Sequence, residues 1–376
     1  MLKAMKTVNT FNLVRTSYNP NDVTILLRDF TNDMQELDTA AREKMIQSGV
    51  HYSEMLPKEE APTQEYNEIY SRVLEKQALR VSTYIAELGN KIMKIHGYKP
   101  IVLISLARAG IPVGILLKRY IERVYNMSMP HYSVSIIRGK GIDKAAMEHI
   151  YAKHGATVGV NHFQFVDGWT GKGMIGSVLD DAIRELEQED VRWRGLYKEL
   201  AVVSDPAMIT NLCGTHMDIL IPSACLNSTV SGLISRSIKR AFDTDTELHG
   251  ACYFGKFSNI DKTYEFINAI EKHFVKPGFF VEKHTSENGL SVVDRIKDRY
   301  GVEDINLIKP GIGEATRVLL RRVPWKILIS NKVAMQDKWE LDHIIQLCSE
   351  KGVPYEYADI GNYKVCGIIK DMSADA

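Results

Sequence analysis

Between residues 101 and 242, short β-branched apolar runs alternate with stretches of helical spacing, and few folds accommodate that alternation. "IVLISLA" precedes "PVGILLKRYIERVY", "HYSVSIIR" precedes "KAAMEHIYAKH", and "HFQFVDG" precedes "MIGSVLDDAIREL". "LAVVSDP" is then followed by "MITNLC", and "MDILIPS" by "TVSGLISRSIKRAF". Strands this short and apolar, joined through helices, make an α/β fold: a parallel sheet with helices on both faces. Ligands in such sheets sit beyond the carboxyl ends of the strands, so a site is expected at the strand-to-helix turns.

Upstream, Tyr70, Val73, Leu74, Val81, Tyr84, Ile85 and Leu88, with Leu79 among them, fall at helical spacing and predict one long amphipathic helix over 64–96. Residues 1–60 read as an arm laid over the body at 61–275. The turn-rich stretch 274–289 marks a boundary. Beyond it, residues 290–376 alternate again and suit a small α/β/α sandwich.

A chain of 376 residues exceeds what one core usually organises. Lys+Arg and Asp+Glu balance at 47 each, so no global field selects nucleic acid or membrane, and any polyanion site must be local. Five scattered cysteines without a CxxC pair exclude a disulfide scaffold and fit a reducing, cytoplasmic setting. No stretch approaches the ~20 apolar residues of a membrane span.

Three turns stand out. In "FQFVDGWTGKGMIG" an apolar strand delivers Asp167 to a glycine-rich turn, where Gly168, Gly171 and Gly173 permit close backbone approach. Thr170 and Lys172 add donors at the start of a helix. A Walker A motif is excluded, because Gly173 follows Lys172 where Ser or Thr is required. The second turn, "SLARAG", sets Arg108 among Ser105, Ala107, Ala109 and Gly110, and the third, "IIRGKG", places Arg138 and Lys140 around glycines.

Together the three turns resemble those of type I phosphoribosyltransferases. Most of residues 15–376, including "PSACLNSTVSGLISRS", resemble the StiP-like proteins of tellurite-resistance and stress operons, described as a phosphoribosyltransferase domain with a C-terminal Pelota-like RNA-binding domain. The resemblance implies a Mg2+-dependent transferase that uses 5-phosphoribosyl 1-diphosphate (PRPP) to make or cleave the N-glycosidic bond of an unusual nucleotide. Asp167, Gly168, Thr170, Gly171, Lys172 and Gly173 would hold the ribose and 5-phosphate, with magnesium bound through the pyrophosphate or Asp167. Ser105, Ala107, Arg108, Ala109 and Gly110 would hold the pyrophosphate, assisted by Arg138 and Lys140. An unidentified base would lie near Cys225, Asn227, Ser228, Thr229 and Arg236. The motif usually carries two acids, whereas Val166 precedes the single Asp167 here.

Two other functions stay open. One is a non-catalytic nucleotide or RNA sensor on a degenerate transferase fold. The other is a cysteine protease, a label the StiP name carries, with Cys225 as nucleophile and His216 or His162 as base. In the C-terminal unit, "KPGIGEATRVLLRR" resembles the RNA-contacting turn of Pelota and kink-turn-binding proteins, which implies structured-RNA contacts from Gly311, Gly313, Glu314, Thr316 and Arg317. A homodimer is left open.

Overall fold

The computed structural model describes residues 12–274, 286–333 and 335–371. Most of the expected boundary at 274–289, and the first eleven residues of the arm, lie outside them. Six parallel strands form the main sheet: β1 (Thr24–Ile25), β2 (Val102–Leu106), β3 (His131–Val134), β4 (Phe163–Trp169), β5 (Ala201–Ser204) and β6 (Cys213–Thr215), in the order β1-β3-β2-β4-β5-β6. The arm is therefore part of the body: β1 closes one edge of the sheet, and the helix α1 (Thr39–Gln47) follows it.

The period of two along each strand sorts side chains to opposite faces. Val102, Ile104, Leu106, Phe163 and Phe165 pack under α4 (Lys144–His154) and α5 (Met174–Glu189). Leu103 and Val166 face α2 (Gln64–Ile95), α3 (Gly110–Tyr125) and α6 (Thr263–Glu271). The long helix forms as its periodicity predicts and starts where the Thr63 side chain accepts the Tyr66 N–H. Leu79 falls off the apolar stripe and is 38% exposed.

Three expected elements are absent. "MITNLC" is not a helix, because the buried Asp205 carboxylate accepts the N–H groups of Ile209 and Thr210 at 2.7 and 3.0 Å and holds the chain in a turn. "MDILIPS" is not a strand: the Leu220 N–H goes to Glu340 instead of a ladder, and the last strand is Cys213–Thr215. "TVSGLISRSIKRAF" is irregular, with antiparallel bridges from Ile234 to Tyr253 and from Ile238 to Gly250. Nearly all of residues 228–238 are buried, so their apolar residues mark no single helical face.

The C-terminal unit comprises α7 (Gly289–Tyr300), β7 (Ile308–Pro310), α8 (Ile312–Arg321), β8 (Pro324–Ser330), α9 (Asp342–Lys351), β9 (Tyr355–Ala358) and β10 (Val365–Ile369). Its strands run β7-β10-β8-β9, with β10 antiparallel to both neighbours. α7 covers one face, while α8 and α9 cover the other. Ala315, Leu319, Ile344 and Leu347 share one continuous apolar cluster with Tyr70, Ile115 and Val166 of the first unit. Among the described residues no helix is long and apolar enough to cross a membrane.

Candidate functional site

The turn after β4 lies at the carboxyl edge of the sheet as expected, but its polar groups are engaged within the chain. Asp167 is half-buried and accepts the Gly168 N–H at 2.7 Å. Burial pushes its carboxyl up to about 6, with Gly168 and Arg317 pulling the other way. The Thr170 hydroxyl donates to Asp205, and the Lys172 ammonium donates to the carbonyls of Ile305 and Ile308. Burial lowers Lys172 to about 8, and Lys309 and Arg138 add repulsion. The Gly171 carbonyl accepts from Tyr363 at 2.8 Å, and Gly173 opens α5. Trp169 meets α8: its Nε1 donates to Glu314 at 3.2 Å, Arg317 lies 4.3 Å over its ring, and a side chain at Gly313 would begin 3.0 Å from it. This turn is a docking surface for the C-terminal unit.

The other two turns are tied down as well. Ser105 is buried, with Oγ 3.1 Å from the Gly110 carbonyl and 2.7 Å from His131 Nε2. Gly110 lets α3 start against β4, since a Cβ there would stand 2.5 Å from the Val166 carbonyl. Between them, Ala107 and Ala109 bring Arg108 to Glu59 at 3.1 Å and to the Ile234 carbonyl at 2.6 Å. Burial acts to raise Glu59, but Arg108, Arg321 and Ser228 outweigh it and hold the carboxyl below its ordinary value. Arg138 donates to Asn306 and Lys140 to Glu54, so neither reaches toward Asp167.

Arg108 and Asp167 do converge, on a cleft of about 730 Å³ between the two units. Its wall carries nine Lys and Arg side chains against five carboxylates, which makes it cationic. Cys225, Asn227, Ser228, Thr229 and Arg236 line it too, although none of them lies on the expected helix.

Cys225 is a poor nucleophile here. It is fully buried, and burial pushes its thiol up to about 12, only partly offset by Tyr66. Neither proposed base serves it: His162 lies 3.2 Å from His96, and His216 lies against Cys213. Cys213 Sγ is 3.5 Å from His216 Nε2 and 3.7 Å from Nδ1, while His216 Nδ1 is 3.1 Å from the Asp205 carbonyl and 3.4 Å from its carboxylate. A Cys-His-Asp relay thus spans the end of β5 and the edge strand β6. Sequence reasoning missed Cys213 because "MITNLC" reads as a helix; once Cys213 is seen to open a strand, the spacing C-x-x-H is the signal. The same three groups could gather on a cation, their ligand atoms lying within 4.8 Å of one another. The Asp205 carboxylate is already engaged by Thr170, Ile209 and Thr210.

The expected RNA turn is also covered. Gly311 precedes α8, whose first free N–H, from Ile312, is taken by the Asp218 carboxylate. Gly313, Glu314 and Arg317 pack on Trp169, and Thr316 is buried against the Ile312 carbonyl and His343. Exposed aromatics instead sit on and beside the edge strand β9: Trp325, Tyr355 and Tyr357, at 41, 43 and 60% exposure. The pairing of Ile327 with Tyr355 and Ile329 with Tyr357 places the two tyrosines on one sheet face, and Trp325 sits at a bulge of the adjoining strand.

A parallel α/β unit with a Cys-His-Asp relay, carrying a second α/β unit, is the class that fold and site define. Residues 16–271 match the family described as tellurite-like stress resistance cysteine protease StiP, and residues 287–371 match the PELOTA RNA binding domain. The chain belongs to the StiP family. It is 35% identical over 349 residues to the protein named cysteine protease StiP of Acinetobacter baylyi, with 88% of each chain covered. These names overturn the phosphoribosyltransferase expectation: family and relative are described as peptidases. The geometry gives a physical reason, since Thr170 and Lys172, assigned to a phosphate, are spent on Asp205 and on the C-terminal unit. PRPP and magnesium entered only with that chemistry.

Proposed function

We propose that the chain is a cysteine peptidase with Cys213 as nucleophile, His216 as general base and Asp205 as its orienting group, joined to an RNA-binding unit. The approach of Cys213 Sγ to His216 Nε2, with Asp205 behind the other ring nitrogen, carries this reading. Asp205 accepts the hydrogen bond of Nδ1–H on its carbonyl, with its carboxylate beside it, and so fixes the tautomer that leaves Nε2 free to take the proton from sulfur. The thiolate attacks the peptide carbonyl and forms a C–S bond. The imidazolium then protonates the leaving amine as the C–N bond breaks, and water hydrolyses the thioester. Cys213 is buried, so substrate reaches it through local opening of the three-residue edge strand. Hydrolysis of a fluorogenic peptide library tests this: Cys213→Ala and His216→Ala should fall to background while Cys225→Ala stays active. Full activity in Cys213→Ala would end the reading.

The match of residues 287–371 to an RNA-binding domain supports RNA as partner, and the exposed Trp325, Tyr355 and Tyr357 offer faces on which unpaired bases stack.

A further inference from the structure

The cleft between the units contains charge that the chain does not neutralise. Of its arginines, Arg108 is paired with Glu59, Arg317 with Glu314 and Arg322 with Glu43. Among the described residues, Arg42, Arg236 and Arg321 have no carboxylate partner within salt-bridge distance. Arg236 has the Tyr52 ring at 4.3 Å, and the Nε groups of Arg42 and Arg321 are buried without a hydrogen bond. On the same wall Thr229 is 3% exposed and its hydroxyl has no partner within the chain, while the buried Ser228 is held by Glu59. Buried charges and hydroxyls left in this state are costly unless a ligand satisfies them.

We infer that this cleft is a binding site for a nucleotide phosphate monoester, held by Arg42, Arg236 and Arg321 with the hydroxyl of Thr229. Three guanidinium forks and a hydroxyl offer more donors than one carboxylate can accept, whereas a phosphate monoester brings up to two charges and three strong acceptor oxygens. Burial lowers Arg236 to about 10, eased by Tyr52, while Arg42, Arg108 and Arg322 repel it; an anion relieves both effects. The volume is that of a small-ligand pocket, so it takes a mononucleotide or a strand end and excludes a duplex. The choice of a nucleotide over other anions rests on the RNA-binding reading. Lys351 lines the cleft, and Tyr355 follows four residues on, at most about 14 Å away along the chain. A strand stacked on the tyrosines could therefore place its end in the cleft.

The test compares short single-stranded oligoribonucleotides with a 5′ phosphate, a 3′ phosphate or neither, by fluorescence anisotropy on the full chain, with 5′-AMP and inorganic phosphate as competitors. Binding should be at least about tenfold tighter with a terminal phosphate, and that gain should vanish in Arg236→Gln and shrink in Thr229→Val. The valine variant loses a hydroxyl that has no partner within the chain, so it remains informative if the glutamine variant misfolds. Full competition by 5′-AMP would support the site and identify a free nucleotide as its occupant. Competition by inorganic phosphate alone, or affinities indifferent to the terminal phosphate and to both variants, with no competition by 5′-AMP, would overturn the proposal. Unphosphorylated RNA reports the aromatic surface by itself, so failure of the RNA-binding reading is distinguishable from failure of the cleft.

Discussion

Asp218 accepts the N–H of Ile312 on both carboxylate oxygens, at 3.1 and 3.0 Å, and so caps α8 from the other unit; one oxygen also takes the Lys364 N–H at 2.7 Å. Burial pushes its carboxyl up from 3.8 to about 6, against the pull of the Lys364 and Ile312 N–H groups and the Lys364 charge. A folded-state pKa above the unfolded one favours the folded state at low pH. This contribution is complete below the unfolded value and is lost as pH rises through about 6. Asp218→Asn should remove that dependence, so the stability advantage of the native chain over the variant grows by on the order of 2 kcal/mol between pH 7.5 and pH 4. Denaturant midpoints at the two pH values measure it, and a pH-independent difference would contradict it.

The cysteines should separate by reactivity. Alkylation of the native protein with iodoacetamide, read by mass spectrometry, should label Cys213 first and about tenfold more slowly in His216→Ala, because the thiolate is the reacting form. Cys225 and Cys366, whose thiols burial pushes up to about 12, should label only on unfolding. If zinc protects Cys213 from labelling while peptide hydrolysis is absent, the group is a metal site instead.

Trp169→Ala removes the ring that Gly313, Glu314 and Arg317 contact. The variant should lose about 3 kcal/mol of stability, near the lower end for Trp truncation because the ring is only partly buried. Trp169→Phe keeps most of the packing and loses the bond to Glu314, and should cost about 1 kcal/mol. Thermal melts followed by circular dichroism decide between these values and no effect.

Tyr355→Ala and Tyr357→Ala should each weaken binding of unphosphorylated single-stranded RNA by about 1–3 kcal/mol without altering the melting temperature, since both rings are exposed. Glu314→Gln, in the turn that resembles an RNA contact, should leave affinity unchanged. The opposite pattern in an anisotropy titration would return RNA binding to that turn.

Much of the architecture was legible in the sequence because local pattern and tertiary burial agree there. The strands at 102–106 and 163–169 alternate between two buried faces, and the helix from Gln64 carries one apolar stripe. Legibility failed at 208–242, where buried acids and bridges determine the path and hydrophobicity has no period. The candidate site failed with it. Arg108 and Asp167 do meet in one cleft, but nothing local in "FVDGWTGKG" announces that Pro310, Glu314 and Tyr363 will occupy the space beside Gly171. Cys213 was overlooked because its partner Asp205 follows the neighbouring strand, a proximity that only the sheet creates.

The apolar cluster that runs from Tyr70 and Ile115 through Val166 to Leu319 and Ile344 has a practical consequence. Either unit made alone would present a greasy, unmatched face to water and would tend to aggregate. Two separately produced halves, 12–274 and 286–371, would each carry the mould of the other, the requirement for a split protein that regains its shape on mixing.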